Sequence, residues 1–288
     1  MSTKLQEPLP CFYFTPEYAQ IHKLDSYQKI HSECAQISFF LDGERAVSMP
    51  KSPIGGFFIE NAQKSDFLDF LNKTENALQH MGVRKLEVVQ APHFYPGAVS
   101  PTILELIGFQ QRVAEITHYI PLEGKLEDRL HSMEKRKLDK PASFTCQVES
   151  EEALLEVHQF ISRCRQEQGL EINISYEMLQ KMVETFPERY VLFTARKDSQ
   201  LIAAVVMTIP IEAVAYYFLP ATHPDHKSES PMVRLIHHIY QYFQERKFHY
   251  IDLGISSING TPQESLIRFK ENMGGIRTER VTLWKQLD

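Results

Sequence analysis

Two four-residue turns constrain this chain more than any other feature. "KDSQ" and "PIEA" join three strand candidates, "YVLFTAR", "LIAAVVMTI" and "VAYYFLPA". Links this short can join only antiparallel neighbours, because a parallel crossover needs a dozen or more residues. After this meander the pattern changes. "SPMVRLIHHIYQYFQERKF" has helical spacing, with Met232, Ile236, Ile239 and Phe243 inward, Ser230 as cap and Pro231 at the first helical position. The strand "YIDLG", the helix "ESLIRFKENMGG" and the strand "RVTLWKQ" follow. Upstream, the charged stretch "KLEDRLHSMEKRKLDKPA" leads to a strand "FTCQV". Two helices come next: one has Ala153, Val157, Phe160, Ile161 and Cys164 inward and stops at Gly169; the other has Leu179, Met182, Val183 and Phe186 inward.

The first half repeats this order with its opening helices missing or replaced. "QISFFL" and "RAVSMP" flank the turn "DGE", and "GGFFIE" is a third strand. A helix, "SDFLDFLNKTENALQHMG", turns Phe67, Phe70, Leu71, Leu78 and Met81 inward. A strand "KLEVVQ", a helix "SPTILELIG" with the same Ser-Pro opening (Ser100, Pro101) and a strand "ITHYIPL" complete it. A repeat this long indicates two similar domains, 1–121 and 122–288, rather than a solenoid. At 288 residues and 43% hydrophobic content, each half can bury a core.

Composition excludes several classes. Net charge is −6 and both halves are acidic on balance, so a long nucleic acid is not the expected partner. The four cysteines (Cys11, Cys34, Cys146, Cys164) are widely spaced and indicate neither a disulfide framework nor a zinc site. "HPDH" brings two histidines without further ligands, so no metal is expected. No apolar run reaches the roughly 18 residues of a membrane span. "MSTKLQEPLP" lacks the layout of a secretion signal, and the expectation is a cytoplasmic protein. No G-x-S-x-G, Walker loop or dinucleotide fingerprint is present.

Strand, two helices, meander, helix, strand, helix, strand resembles the GNAT acyltransferase superfamily. Within it, four features resemble the Fem branch, peptidoglycan aminoacyltransferases built from two tandem GNAT-like domains, and related bacterial proteins. They are the basic helix "EKRKLDK", "SPMVRLIHHIYQYFQERKFHYIDLG", the loop "ISSINGTPQ" and, above all, "RFKENMGG". The resemblance implies an α+β fold with a mixed sheet in each of two tandem GNAT-like domains. The first domain would be structural or acceptor-binding, and the second would hold the transfer site. It implies an N-acyltransferase acting on a small-molecule or peptide amine, in cell-wall precursor or related metabolism. No particular cofactor is called for; acyl-CoA or the aminoacyl end of a tRNA are the candidate donors, and the oligomeric state stays open, with a monomer compatible. Two alternatives stay open: a binding protein that has lost its donor site, and an acetyl-CoA-dependent N-acetyltransferase.

The segment that grips CoA pyrophosphate in GNAT enzymes is here "ATHPDHKSES", which lacks glycine, as does its first-half counterpart "NAQKS". His223, His226, Lys227 and Ser230 remain as candidates for holding a donor anion at the helix start.

At about 100° per residue, Leu266, Phe269, Lys270 and Met273 share one arc of their helix, and Arg268, Glu271 and Asn272 face away. Lys270 therefore points into protein. Either its stem lies on apolar surface with the ammonium at the edge or paired with an acid such as Asp252, or it takes the role the resemblance implies. In Fem enzymes the lysine of the "F-K" pair, here Phe269 and Lys270, steadies the oxyanion of the tetrahedral intermediate. Other candidates for substrate binding are Tyr216, Tyr217, Asp252, Ser256, Ser257 and Asn259. Arg136, Lys137 and Lys140 could meet a phosphate. Packing, turn formation and a solvated helix face account for the same residues without function.

Overall fold

The computed structural model describes residues 11–60, 64–170 and 172–287. In chain order its elements are α1 (Pro16–Ile21), β1 (Tyr27–His31), β2 (Ala35–Asp42), β3 (Arg45–Val47), β4 (Phe58–Ile59), α2 (Lys64–His80), β5 (Lys85–Gln90), α3 (Pro101–Leu106) and β6 (Gln110–Pro121). They continue with α4 (Ser132–Asp139), β7 (Thr145–Glu149), α5 (Leu154–Gln166), α6 (Tyr176–Thr185), β8 (Tyr190–Lys197), β9 (Gln200–Ile211), β10 (Val214–Thr222) and α7 (Pro231–Glu245). The last are β11 (Tyr250–Ile255), β12 (Ser257–Ile258), β13 (Thr261–Pro262), α8 (Glu264–Asn272) and β14 (Ile276–Gln286). Among the described residues, no helix is long and apolar enough to cross a membrane.

These elements form two compact units, and the partition is not a single cut at Pro121. One unit holds the described residues of Pro10–Thr117 together with Ile255–Gln263 and Thr278–Asp288; the other holds His118–Gly254 and Glu264–Arg277. In the first unit β2 pairs antiparallel with β1, β3 and β4, while β3 runs parallel to β5. β14 then joins β5 antiparallel from Val281 opposite Gln90 to Gln286 opposite Lys85. Val281, Leu283 and Leu287 are thereby buried in the same core as Phe39, Phe57, Phe70 and Leu86. The pull of that apolar surface explains why these late residues belong with the first unit.

In the other unit the expected meander is present, with β7, β8, β9 and β10 antiparallel in turn. β11 then runs parallel to β10, from Val214 opposite Tyr250 to Tyr216 opposite Asp252. The core lies between this sheet and α7, where Leu235, Ile236, Ile239 and Phe243 meet Phe193, Val205 and Ala215.

Several local expectations need correction. The third strand of the first half shrinks to Phe58–Ile59, because the Gln90 side chain takes over the backbone of Phe57, accepting its N–H at 2.9 Å and donating to its carbonyl at 3.0 Å. An opening helix, α1, does exist there; Thr15 caps it by accepting the Tyr18 N–H at 3.3 Å. Met81 lies past the end of α2 and is exposed, Ala153 precedes α5 in a 3-10 turn, and Phe186 is a half-buried C-cap. Pro231 and Pro101 open their helices as expected, but neither Ser230 nor Ser100 caps with its side chain; Ser230 is left-handed, at φ +54°.

Candidate functional site

α8 starts with Glu264, whose charge suits the helix N-terminus, and stops at the paired glycines. Gly274 is left-handed at φ +84°, and the Gly275 N–H closes on the Lys270 carbonyl at 2.9 Å. A Cβ on Gly275 would lie 2.7 Å from that same carbonyl oxygen, and one on Gly274 would lie 2.8 Å from Arg129 Cβ. Both glycines of "MGG" are therefore required by close approach. The buried face of α8 carries Ile267 and Lys270, continued by buried Met273 just past its end, with Phe269 half-buried. Leu266, expected inward, is 38% exposed. The arc is centred one residue further along than the apolar pattern suggests.

Lys270 is 4% exposed. Its Nζ donates to the Gly254 carbonyl oxygen at 2.7 Å. Burial pushes its ammonium down to about 8, against the pull of the nearby Asp252 charge. Asp252 is buried within β11, and its carboxylate folds back along the strand, Oδ1 accepting the Gly254 N–H at 2.8 Å. That turn needs φ +72° at Gly254, and a Cβ there would sit 3.2 Å from the Tyr216 hydroxyl. Tyr216, half-buried on β10 opposite Asp252, thus closes over the glycine whose carbonyl holds Lys270.

The two tyrosines separate as strand alternation requires. Tyr217 faces the α7 side, donates to Met232 Sδ at 2.9 Å and has its phenol pKa raised by burial, so it is a core residue.

His118 was missed by sequence reasoning. It is fully buried on β6, with Nε2 3.8 Å from Glu271 Oε1. Burial, then the charges of Lys270 and Arg277, push its imidazole down to about 4, so it is neutral at physiological pH. The available signal was alternation: His118 shares a strand face with Ile116 and Ile120, where an apolar residue is the norm.

Ser256, Ser257 and Asn259 belong to the first unit. There Ser256 N–H donates to Ile116 O at 2.7 Å, and Ser257 Oγ accepts the Ile116 N–H at 2.8 Å while donating to the Glu115 carboxylate. Asn259 is an exposed left-handed turn residue, at φ +50°. On α4, Arg136 is exposed, Lys137 pairs with buried Glu134 at 2.8 Å, and Lys140 is an exposed C-cap. At the start of α7, His223 Nδ1 accepts the Asp225 N–H at 3.3 Å and His226 pairs with Glu229 at 2.6 Å, while Lys227 is exposed. Pro231, Met232 and Val233 are buried, so the first turn of α7 is packed into protein. In the first half, residues 61–63 of "NAQKS" lie outside the described residues.

The geometry agrees with comparisons to known proteins. Residues 130–264 match the model of the acetyltransferase (GNAT) domain, a match that ends at the first residue of α8. FemX superposes with a TM-score of 0.73 at 12% identity, over 96% of this chain and 92% of that one. L-PGS from Bacillus licheniformis gives 0.59 at 15% identity, over 93% and 86%. A conserved protein of unknown function from Bacteroides thetaiotaomicron gives 0.64 at 9% identity, over 96% and 91%. No curated protein matches the sequence. Much of the unit that holds Lys270 therefore matches the GNAT domain model, and the chain has a mixed α+β fold shared with FemX.

Proposed function

We propose that the protein is a Fem-like N-acyltransferase that passes an acyl or aminoacyl group to an amine, with Lys270 stabilising the oxyanion. The observation that carries this reading is a lysine 4% exposed, held by the Gly254 carbonyl at the end of β11, within a GNAT-type unit. In that reaction the amine nitrogen attacks the donor carbonyl carbon, and the carbonyl π electrons move to oxygen. An ammonium out of water meets that new charge with little screening and without reorganisation. Collapse re-forms the carbonyl and expels the thiolate or ribose alkoxide, which takes up the proton that the amine gives up. Tyr216 lines the same place, and Phe269 sits beside Lys270 in the chain.

The packed first turn of α7, with glycine-free flanks, favours a donor other than acetyl-CoA. An aminoacyl-tRNA end fits the Fem-like reading, with the first unit, a second GNAT-like domain, serving the amine acceptor. The reaction then takes place in the cytoplasm, where such donors are made. The test is turnover with aminoacyl-tRNA or acyl-CoA donors and a panel of amines, including nucleotide-linked peptides. Lys270→Met should lower kcat by about 100-fold or more, the usual cost of one oxyanion donor, without loss of folding. Turnover by folded Lys270→Met at the wild-type rate would remove the lysine from the chemistry. Thermal shift separates the binding-protein alternative, since a ligand at 100 times its Kd adds about 2.7 kcal/mol. Stabilisation by an acceptor without turnover from any donor would favour it.

A further inference from the structure

One face of the first unit's sheet packs on α2, where Phe39, Ala46, Leu86 and Leu283 share a core with Phe67, Phe70 and Leu71. The residues next to them along each strand point the other way. Phe40 lies opposite Val47, Val47 opposite Glu87 and Glu87 opposite Trp284, so one row of side chains crosses β2, β3, β5 and β14 on that second face. At about 4.8 Å per strand the row is about 14 Å across. Phe40, Val47 and Trp284, the chain's single tryptophan, are half-buried there.

Three cations edge this row. Arg45 and Lys85 face each other one pleat along, on β3 and β5, and Arg112 reaches in from β6. Arg112 Nη1 donates to Glu87 Oε1 at 2.7 Å, and Arg45 Nη2 lies 3.8 Å from Glu87 Oε2. The Glu87 side chain is 8% exposed, whereas Arg112 and Arg45 are 58% and 45% exposed. A buried carboxylate thus steadies two guanidiniums that keep most of their N–H donors for solvent. Lys85 holds its ammonium 4.3 Å from the centre of the Trp284 ring, and among the described residues no carboxylate pairs with it. Asp42, itself exposed, is 3.7 Å from Arg45, beyond hydrogen-bond reach. Cross-strand pairing accounts for Glu87 with one arginine. It calls for neither the second arginine nor the lysine and indole on the same open face.

We propose that this face of the first unit docks a short single-stranded segment of RNA, one base stacking on Trp284 and the neighbouring phosphates meeting Arg45, Lys85 and Arg112. A flat aromatic ring beside several outward donors is the pairing that such a strand needs, since every base has a face to stack and every phosphate accepts from a guanidinium or an ammonium. An acidic peptide would use the cations and leave the indole idle. The net charge of −6 confines the contact to this patch. An RNA-borne acyl donor would gain a second hold here, yet the inference stands apart from the acyl-transfer reading, because binding is measured without turnover.

A single tryptophan makes the full chain its own probe. Titration with a mixed-sequence 12-nucleotide RNA should quench the Trp284 emission, with the same midpoint as the rise in anisotropy of the labelled RNA. Affinity should fall about tenfold between 50 and 150 mM salt, as three phosphate contacts on a single strand require. By anisotropy, Trp284→Leu should bind at least fivefold more weakly, the loss of one stacked base. Arg112→Gln should also weaken binding and lower the salt slope by about 0.7, the share of one phosphate. If Trp284→Leu does not fold, the double variant Arg45→Gln, Lys85→Gln replaces it, and its salt slope should fall by about 1.4. Absence of quenching, or an affinity and slope unchanged in folded variants, overturns the proposal. Polyglutamate binding as tightly as the RNA would make this a protein-docking face, and AMP binding as tightly would make it a mononucleotide site; either result also overturns it. Turnover by Lys270→Met is scored separately and decides the catalytic reading alone.

Discussion

A buried ammonium makes stability depend on pH in a direction that can be worked out in advance. Lys270 titrates near 10.5 when unfolded and near 8 when folded, so between those values the unfolded chain holds more protons. Unfolding free energy then rises with pH across that window. Relative to Lys270→Met, the wild type should gain up to about 3 kcal/mol between pH 8 and 10.5. Urea denaturation at several pH values checks this, and a constant difference would mean a well-solvated lysine. His118 acts in the acid range: folded near 4 and unfolded near 6.5, it costs stability as pH falls through that interval. His118→Gln should therefore retain more stability than wild type at pH 5, while His22, shifted the same way, gives an equal background in both. Gly254→Ala should cost about 1–2 kcal/mol for a left-handed residue, more if Tyr216 cannot give way, and should impair transfer by displacing the carbonyl that holds Lys270. At this scale Lys270 was legible, because helical spacing alone turned it inward. His118 was not, because burial on a strand depends on a partner far away in sequence.

Among the elements, α4 shows how a charged helix is fixed to the fold. Arg234, on α7, donates to the carbonyls of Lys137 at 3.2 Å and Leu138 at 2.9 Å and also reaches Lys140. These are C-terminal carbonyls that the helix itself cannot satisfy. Arg234→Met should leave α7 intact and raise hydrogen exchange in Ser132–Asp139 by several-fold, measured by mass spectrometry. No change there would mean that α4 is held by Leu138 packing alone. Repeating apolar residues and short turns made α2, α7 and the meander readable, since both signals are local. The caps were less readable. "SP" marked where α7 begins, yet a left-handed Ser230 replaced the expected side-chain cap, a choice made by the preceding 3-10 turn rather than by the dipeptide.

For the whole molecule, the partition of the chain was the least legible property. β14 reads as an ordinary strand, and nothing within it states that its partner is β5, almost two hundred positions earlier. Deleting 278–288 removes Val281, Leu283 and Leu287 from the core they share with Phe39 and Leu86. Hydrogen exchange should then rise throughout residues 11–117 and much less in His118–Gly254. Uniform loss of protection would show instead that the units unfold as one.

The same arrangement bears on how the protein is made. On the ribosome, residues 11–117 emerge long before the strand that covers their core. They must wait, with Phe39, Phe57 and Leu86 incompletely sheltered, while the whole acyltransferase-type unit is synthesised. The unit encoded later can therefore finish first, and the nascent chain needs its chaperones on the stretch that carries Phe39, Phe57 and Leu86.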